Sequence, residues 1–136
     1  ENLRNIFSLG DQYLSHFVDD PKDKGEVYPL DLILCQNCSL LQLKHTVNPS
    51  LLYSEDYGYR SEISNTMREH LQGIVDEATR RVRLIPEDIV VDIGCNDSYL
   101  LKQYEPVRKI GFDPVAKFAK DAEGTDILFI NDYFNK

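Results

Sequence analysis

Three groups of residues in this 136-residue chain could do chemistry. Cys35 and Cys38 stand at C-x-x-C spacing, two soft ligands on one tight knuckle. Gly94 follows the apolar run Ile89-Val90-Val91-Asp92-Ile93, and an acid, Asp113, comes nineteen residues later. Tyr53, Tyr57, Tyr59 and Arg60 crowd the stretch LLYSEDYGYRSE between these two regions. Aromatic rings there could stack on a sugar or base, phenols could donate to a keto oxygen, and Arg60 could pair with a phosphate or carboxylate. Interdomain tyrosines equally serve as packing with a polar handle.

The stretch VVDIGCND is not a dinucleotide turn. The G-x-G-x-x-G spelling needs a second glycine where the backbone approaches a pyrophosphate, and here that place is Asn96. A glycine after a buried strand can still expose the amides of the next turn, where a carboxylate is as welcome as a phosphate. An acid such as Asp113, at the end of the next strand, is spaced to accept from ribose hydroxyls. A nucleoside without a pyrophosphate is implied, and S-adenosylmethionine fits. Its methionine part would lie along the Gly94 turn, its ribose on Asp113 and its adenine near residues 131–134, with Asp92, Asn96, Asp97 and Pro114 as further cofactor-binding residues. Taken singly, the glycine and Asp113-Pro114 are equally ordinary turns; in order and at this spacing they favour a cofactor site.

The elements that must position these groups follow from periodicity. Residues 1–60 are rich in turn formers, Asp19-Asp20-Pro21 and Lys24-Gly25 among them, and their apolar runs Leu32-Ile33-Leu34 and Leu40-Leu41-Gln42-Leu43 predict a hairpin around the cysteine pair. So small a segment cannot hold itself together by burial, and something must staple it. From Ser61, apolar residues at Ile63, Met67, Leu71, Ile74, Val75, Ala78 and Val82 predict one face of a long helix that Pro86 ends. Residues 89–93 then read as a strand buried on both faces. Helices near 98–104 and 115–122 alternate with strands near 109–112 and 126–130. That alternation predicts a parallel sheet with right-handed crossovers. The fold class expected is therefore α/β: a small β region over 1–60, then a linker helix and a partial sheet over 61–136. Three strands are few for such a sheet, and the chain starts at Glu1, so a longer protein is expected.

Charge narrows the partners. The formal net charge is -8, from 23 acidic and 15 basic residues, which argues against a phosphate-tracking surface and so against nucleic acid. Arg80, Arg81 and Arg83 complement the dipole of a helix end. No apolar run approaches the ~18 residues of a membrane span, so a cytoplasmic protein is expected. Glu69 and His70 are adjacent on the helix and point apart, so they do not act as an acid-base pair.

The runs VVDIGCNDSYLL, KIGFDPVAKFA and ILFINDYF resemble the cofactor-binding half of sugar C-methyltransferases acting on nucleotide-linked keto-deoxysugars. The front run YPLDLILCQNCSLLQLKHTVNPSLLYSEDYGYRS resembles that family's zinc-binding N-terminal region and tyrosine-rich loop. The resemblance implies a zinc-knuckle β domain followed by the first part of a Rossmann-like methyltransferase sheet, with S-adenosylmethionine and structural zinc as cofactors. It implies a nucleotide-sugar substrate, with Tyr57 and Tyr59 placing it, and acid-base residues outside these 136 positions. Two departures stand out: the family turn usually reads G-S-N-D-G, and this one has Cys95 and Ser98. The side chain at 98 is expected to narrow the approach to the cofactor.

Zinc needs four ligands, and the chain holds one C-x-x-C pair; the resemblance places the other pair just upstream. His45 is the nearest further candidate ligand. A thioredoxin-like redox role is disfavoured because the cysteines precede a strand and open no helix. Two other readings stay open: a non-catalytic zinc-knuckle module on an α/β scaffold, and a nicotinamide-dependent oxidoreductase.

Overall fold

The structure, a computed structural model, describes residues 2–14, 20–22 and 24–135, so Asp19 of the expected front loop lies outside the described residues. The chain divides into two compact units, Glu1–Gly58 and Tyr59–Lys136.

The first unit is an antiparallel meander of β1 (Leu3–Tyr13), β2 (Val27–Cys35) and β3 (Leu41–Leu43), in that order. The β2–β3 pair is the expected hairpin around the cysteines, with Leu32 opposite Leu43 and Leu34 opposite Leu41. The long strand β1 did not show in the sequence, because its polar and apolar residues do not alternate cleanly. Two breaks in its register with β2, between Asn5 and Phe7 and between Ser8 and Asp11, explain why: each slips the chain by one place. A short helix, α1 (Pro49–Leu52), follows, capped by the Asn48 side chain, which accepts from Ser50 N at 3.1 Å.

The second unit opens with a 3-10 turn, Ser61–Ile63, and the helix α2 (Asn65–Arg81), whose N-terminus is capped by Ser64 accepting from Met67 N. Its buried stripe centres on Val75, while Ile63 and Val82 lie outside it and are exposed. Strands β4 (Ile89–Ile93), β5 (Arg108–Phe112) and β6 (Ile127–Ile130) form the expected parallel sheet in the order β4-β5-β6. The crossovers are shorter than their patterns suggest: α3 is Tyr99–Lys102, and the second pairs a 3-10 turn, Ala116–Phe118, with α4 (Ala119–Ala122).

One expectation is corrected. The β4 strand is covered on one face only, not both. Val90 packs on both core clusters of this unit, one of Cys95, Leu101, Ala122 and Ile127 and one of Val75, Tyr104 and Val107. The alternate residues Ile89, Val91 and Ile93 are 47%, 47% and 60% exposed, and Leu128 on β6 is 58% exposed. A continuous apolar run marks a strand made to be covered twice; the described residues supply the cover on one side. No helix among them is long and apolar enough to cross a membrane.

Candidate functional site

The ends of the three parallel strands converge on Asp113. Its Oδ2 accepts from Asn96 N at 2.9 Å, and its Oδ1 accepts from Val115 N at 2.9 Å across Pro114. Its carbonyl accepts from Asn131 Nδ2 at 3.0 Å. Gly94 N and Cys95 N both donate to Phe112 O, at 2.8 and 3.0 Å. The Phe112 ring in turn meets Phe134 edge-on, centroids 5.1 Å apart. Gly94, Asp113 and residues 131–134, predicted from sequence to share a ligand, thus share one locus at the carboxyl ends of the strands, where parallel α/β sheets bind ligands.

The turn between β4 and α3 is bent in a way few residues accept. Gly94, Asn96 and Ser98 have φ of 77°, 50° and 60°. At Gly94 nothing lies within 4 Å of where a Cβ would stand, so its backbone faces open space. Asn tolerates the left-handed region better than most residues, and Ser98 holds it at a cost of order 1 kcal/mol. Ser98 is wholly buried, with its Oγ 3.9 Å from Cys95 Sγ. Its departure from glycine therefore stores strain, and its side chain does not stand in the approach. Cys95 faces the core; burial pushes its thiol up to about 12, so it stays neutral and inert. A Cβ on Gly111 would stand 2.6 Å from Cys95 Sγ, which is why β5 carries glycine where the turn crosses it.

Asp97 is fully buried and works within the fold: Oδ1 accepts from Tyr99 N at 3.2 Å and Oδ2 from Glu62 N at 2.9 Å. The Asn96 carboxamide is likewise engaged, accepting from Ser61 N at 3.1 Å and donating to Tyr59 O at 3.0 Å. Sequence reasoning read Asn96 and Asp97 as cofactor contacts; the structure engages the Asn96 side chain with Tyr59 and Ser61, and that of Asp97 with Glu62 and Tyr99. No local pattern signals such a pairing across 35 positions. Asp92, on β4, makes no side-chain hydrogen bond among the described residues, and burial first, then the charge of Asp113, pushes its carboxyl above the ordinary value. No cation contributes to that shift.

An adenosyl cofactor with a cationic amino-acid tail suits this chemistry. The two Asp113 oxygens each hold one amide N–H and keep lone pairs for hydroxyls, and Asp92 is a carboxylate with no cation of its own. A pyrophosphate would meet two acids, Asp92 and Asp113, at this locus.

In the first unit, the cysteines bracket a tight turn: Ser39 N donates to Cys35 O at 2.8 Å and Cys35 N to Leu40 O at 2.9 Å. Cys38 is exposed and Cys35 half-buried, and neither forms a disulfide. Two thiolates on one knuckle fit half of a tetrahedral zinc site. Among the described residues no group of three or more His, Cys, Asp or Glu side chains stands together to complete it. His45, whose Nε2 lies 3.3 Å from Asp31 Oδ2, is occupied elsewhere. Tyr57 packs on Tyr53, rings 5.6 Å apart and tilted by 56°. His70 is exposed.

Comparison with known proteins bears on both units. Residues 1–53 match the family described as "Putative zinc binding domain". Over 120 residues the chain is 28% identical to the C-methyltransferase NovU of Streptomyces niveus, a match covering 85% of this chain and 28% of that protein. The chain therefore spans little more than a quarter of the length of that curated relative. Together the matches support reading the chain as similar to a C-methyltransferase, with residues 1–53 of the chain similar to a putative zinc-binding domain.

Proposed function

We propose that the second unit is the start of a Rossmann-like S-adenosylmethionine site in a C-methyltransferase acting on a nucleotide-linked keto-deoxysugar, and that the first unit is its zinc knuckle. The observation that carries this reading is the joining of the Gly94 turn to the Asp113 carboxylate through Asn96 N, beside the unneutralised Asp92. Gly94 would present backbone to the amino-acid tail, Asp92 would face its positive charge, and Asp113 would take the ribose hydroxyls. Residues 131–134, with Phe112 and Phe134 edge to face, would border the base. Bound there, S-adenosylmethionine supplies an electrophilic methyl group.

Methylating a carbon beside a ketone also requires loss of the α-proton, which needs a general base within reach of that carbon. The chain's own work is to bind and orient, which is where much of such a rate enhancement originates. Tyr57 and Tyr59 remain candidates for placing the sugar. Cys35 and Cys38 would hold zinc as a staple, not as a reactant, with the other ligands supplied from elsewhere.

Calorimetry with S-adenosylmethionine, S-adenosylhomocysteine and NAD tests the reading. We expect the two adenosyl ligands to bind, NAD not to, and Asp113→Ala to weaken both. Equal affinity for NAD, or none for any ligand, contradicts it and returns the chain to an α/β scaffold carrying a zinc knuckle.

A further inference from the structure

Residues 59–62 are fastened at four points, three on the Gly94 turn and one on α4. Tyr59 O and Ser61 N take the two ends of the Asn96 carboxamide, Glu62 N donates to Asp97 Oδ2, and the Arg60 guanidinium pairs with Asp121 while lying 5.6 Å from the Phe118 ring centroid. The partners fix the carboxamide's orientation, since a carbonyl must face its NH2 and an N–H its oxygen. Asn96 is 7% exposed and Asp97 fully buried, so these bonds are made away from water, where losing a partner is costly. In contrast, the Tyr59 side chain is 48% exposed. A single run of bonds leads from Asp113 Oδ2 to Asn96 N, and from the Asn96 side chain to Tyr59 O. Whatever hydrogen-bonds to Asp113 therefore lies beside the residue that presents the Tyr59 ring.

We infer that Asn96 is a positioning residue: it holds residues 59–62 as a strap, so that the Tyr59 ring forms a wall of the adenosyl site and helps set the affinity for the nucleoside. This rests on the S-adenosylmethionine reading above.

Two variants release the strap from opposite sides. Asn96→Gly removes the carboxamide and suits the positive φ at that position. Ser61→Pro removes the N–H and leaves the turn untouched. Proline is admissible there because Ser61 opens a 3-10 helix and Arg60, at φ -134° and ψ 131°, already has the extended backbone a pre-proline residue requires.

The chain contains no tryptophan, so Tyr59→Trp supplies a single reporter at the wall. In that background, calorimetry reads S-adenosylmethionine affinity and fluorescence reads the strap without ligand. We expect each releasing variant to shift emission to the red and to weaken binding, about fivefold for Ser61→Pro, which removes one hydrogen bond, and more for Asn96→Gly, which removes two. Affinity unchanged in either variant overturns the inference. So does weakening by Asn96→Gly alone with the emission unmoved, because Asn96 would then touch the ligand directly. If no form binds while emission still shifts, the S-adenosylmethionine reading falls and takes the ligand role of Tyr59 with it, although the strap's bonds stand.

Discussion

The two units of this chain are held together by different physics. In the second, Val75, Leu101, Tyr104, Val107, Val115, Phe118 and Ile127 are all buried, none more than 8% exposed, and helices close over one face of a parallel sheet. In the first, among the described residues, only Ile33 is buried to that degree, while Ile6, Phe7, Leu9, Leu41 and Leu43 stand roughly half exposed. Among its described residues the first unit has strand pairing without a core. Backbone hydrogen bonds contribute little net stability because the unfolded chain makes them with water, so a meander of this kind needs a staple. The C-x-x-C knuckle sits in the unit that lacks a core, and the candidate cofactor turn sits in the unit that has one. On the proposed function, rigidity for ligand placement and adaptability for metal-coupled folding would be separated along the chain.

The sharpest way to break this contrast is to truncate one phenylalanine in each unit. Phe118 is fully buried, and Phe118→Ala should cost about 3–5 kcal/mol in urea unfolding. Phe7 is 54% exposed, and Phe7→Ala should stay within about 0.5 kcal/mol. Comparable losses would mean that the first unit has a core after all. Next in size is Gly111→Ala, whose methyl would collide with Cys95 Sγ and should cost about 1–3 kcal/mol. Combining it with Cys95→Ala should return most of that loss, so a double-mutant cycle measures how tightly the turn is seated on β5.

The smallest effect concerns pH. Burial and the neighbouring Asp113 hold the Asp92 carboxyl above its ordinary value, so in that range the folded chain keeps a proton the unfolded chain gives up. Its contribution favours folding at acid pH and is lost as pH rises through the raised value. Asp92→Asn should leave stability in acid little changed, raise it near neutrality and flatten the slope between. An unchanged slope would show that Asp92 already has a partner.

How much of this was legible in the sequence divides along the same line. The second unit's strands could be read because burial on a parallel sheet leaves continuous apolar runs, and Gly94 and Asp113 because their spacing is set by one β-α-β crossover. The strand β1 could not be read, since its bulges scramble the alternation that marks a strand. The strap was equally hidden: residues 59–62 carry no periodic signal, and their partners lie on another loop. The bare face of β4 was missed for a third reason. Ile89, Val91 and Ile93 spell a strand fit to be covered on both faces, and composition cannot say whether the cover is at hand.

Amide hydrogen exchange along the whole chain, with and without S-adenosylmethionine, tests the central claim most directly. We predict strong protection at β4, β5 and α2 in both states, rapid exchange through β1 and β3, and ligand-induced slowing confined to the amides of residues 94–98, 113–115 and 59–62. Slowing centred on the first unit, or no slowing at the turn after Gly94, would contradict the assignment of the ligand to the second unit.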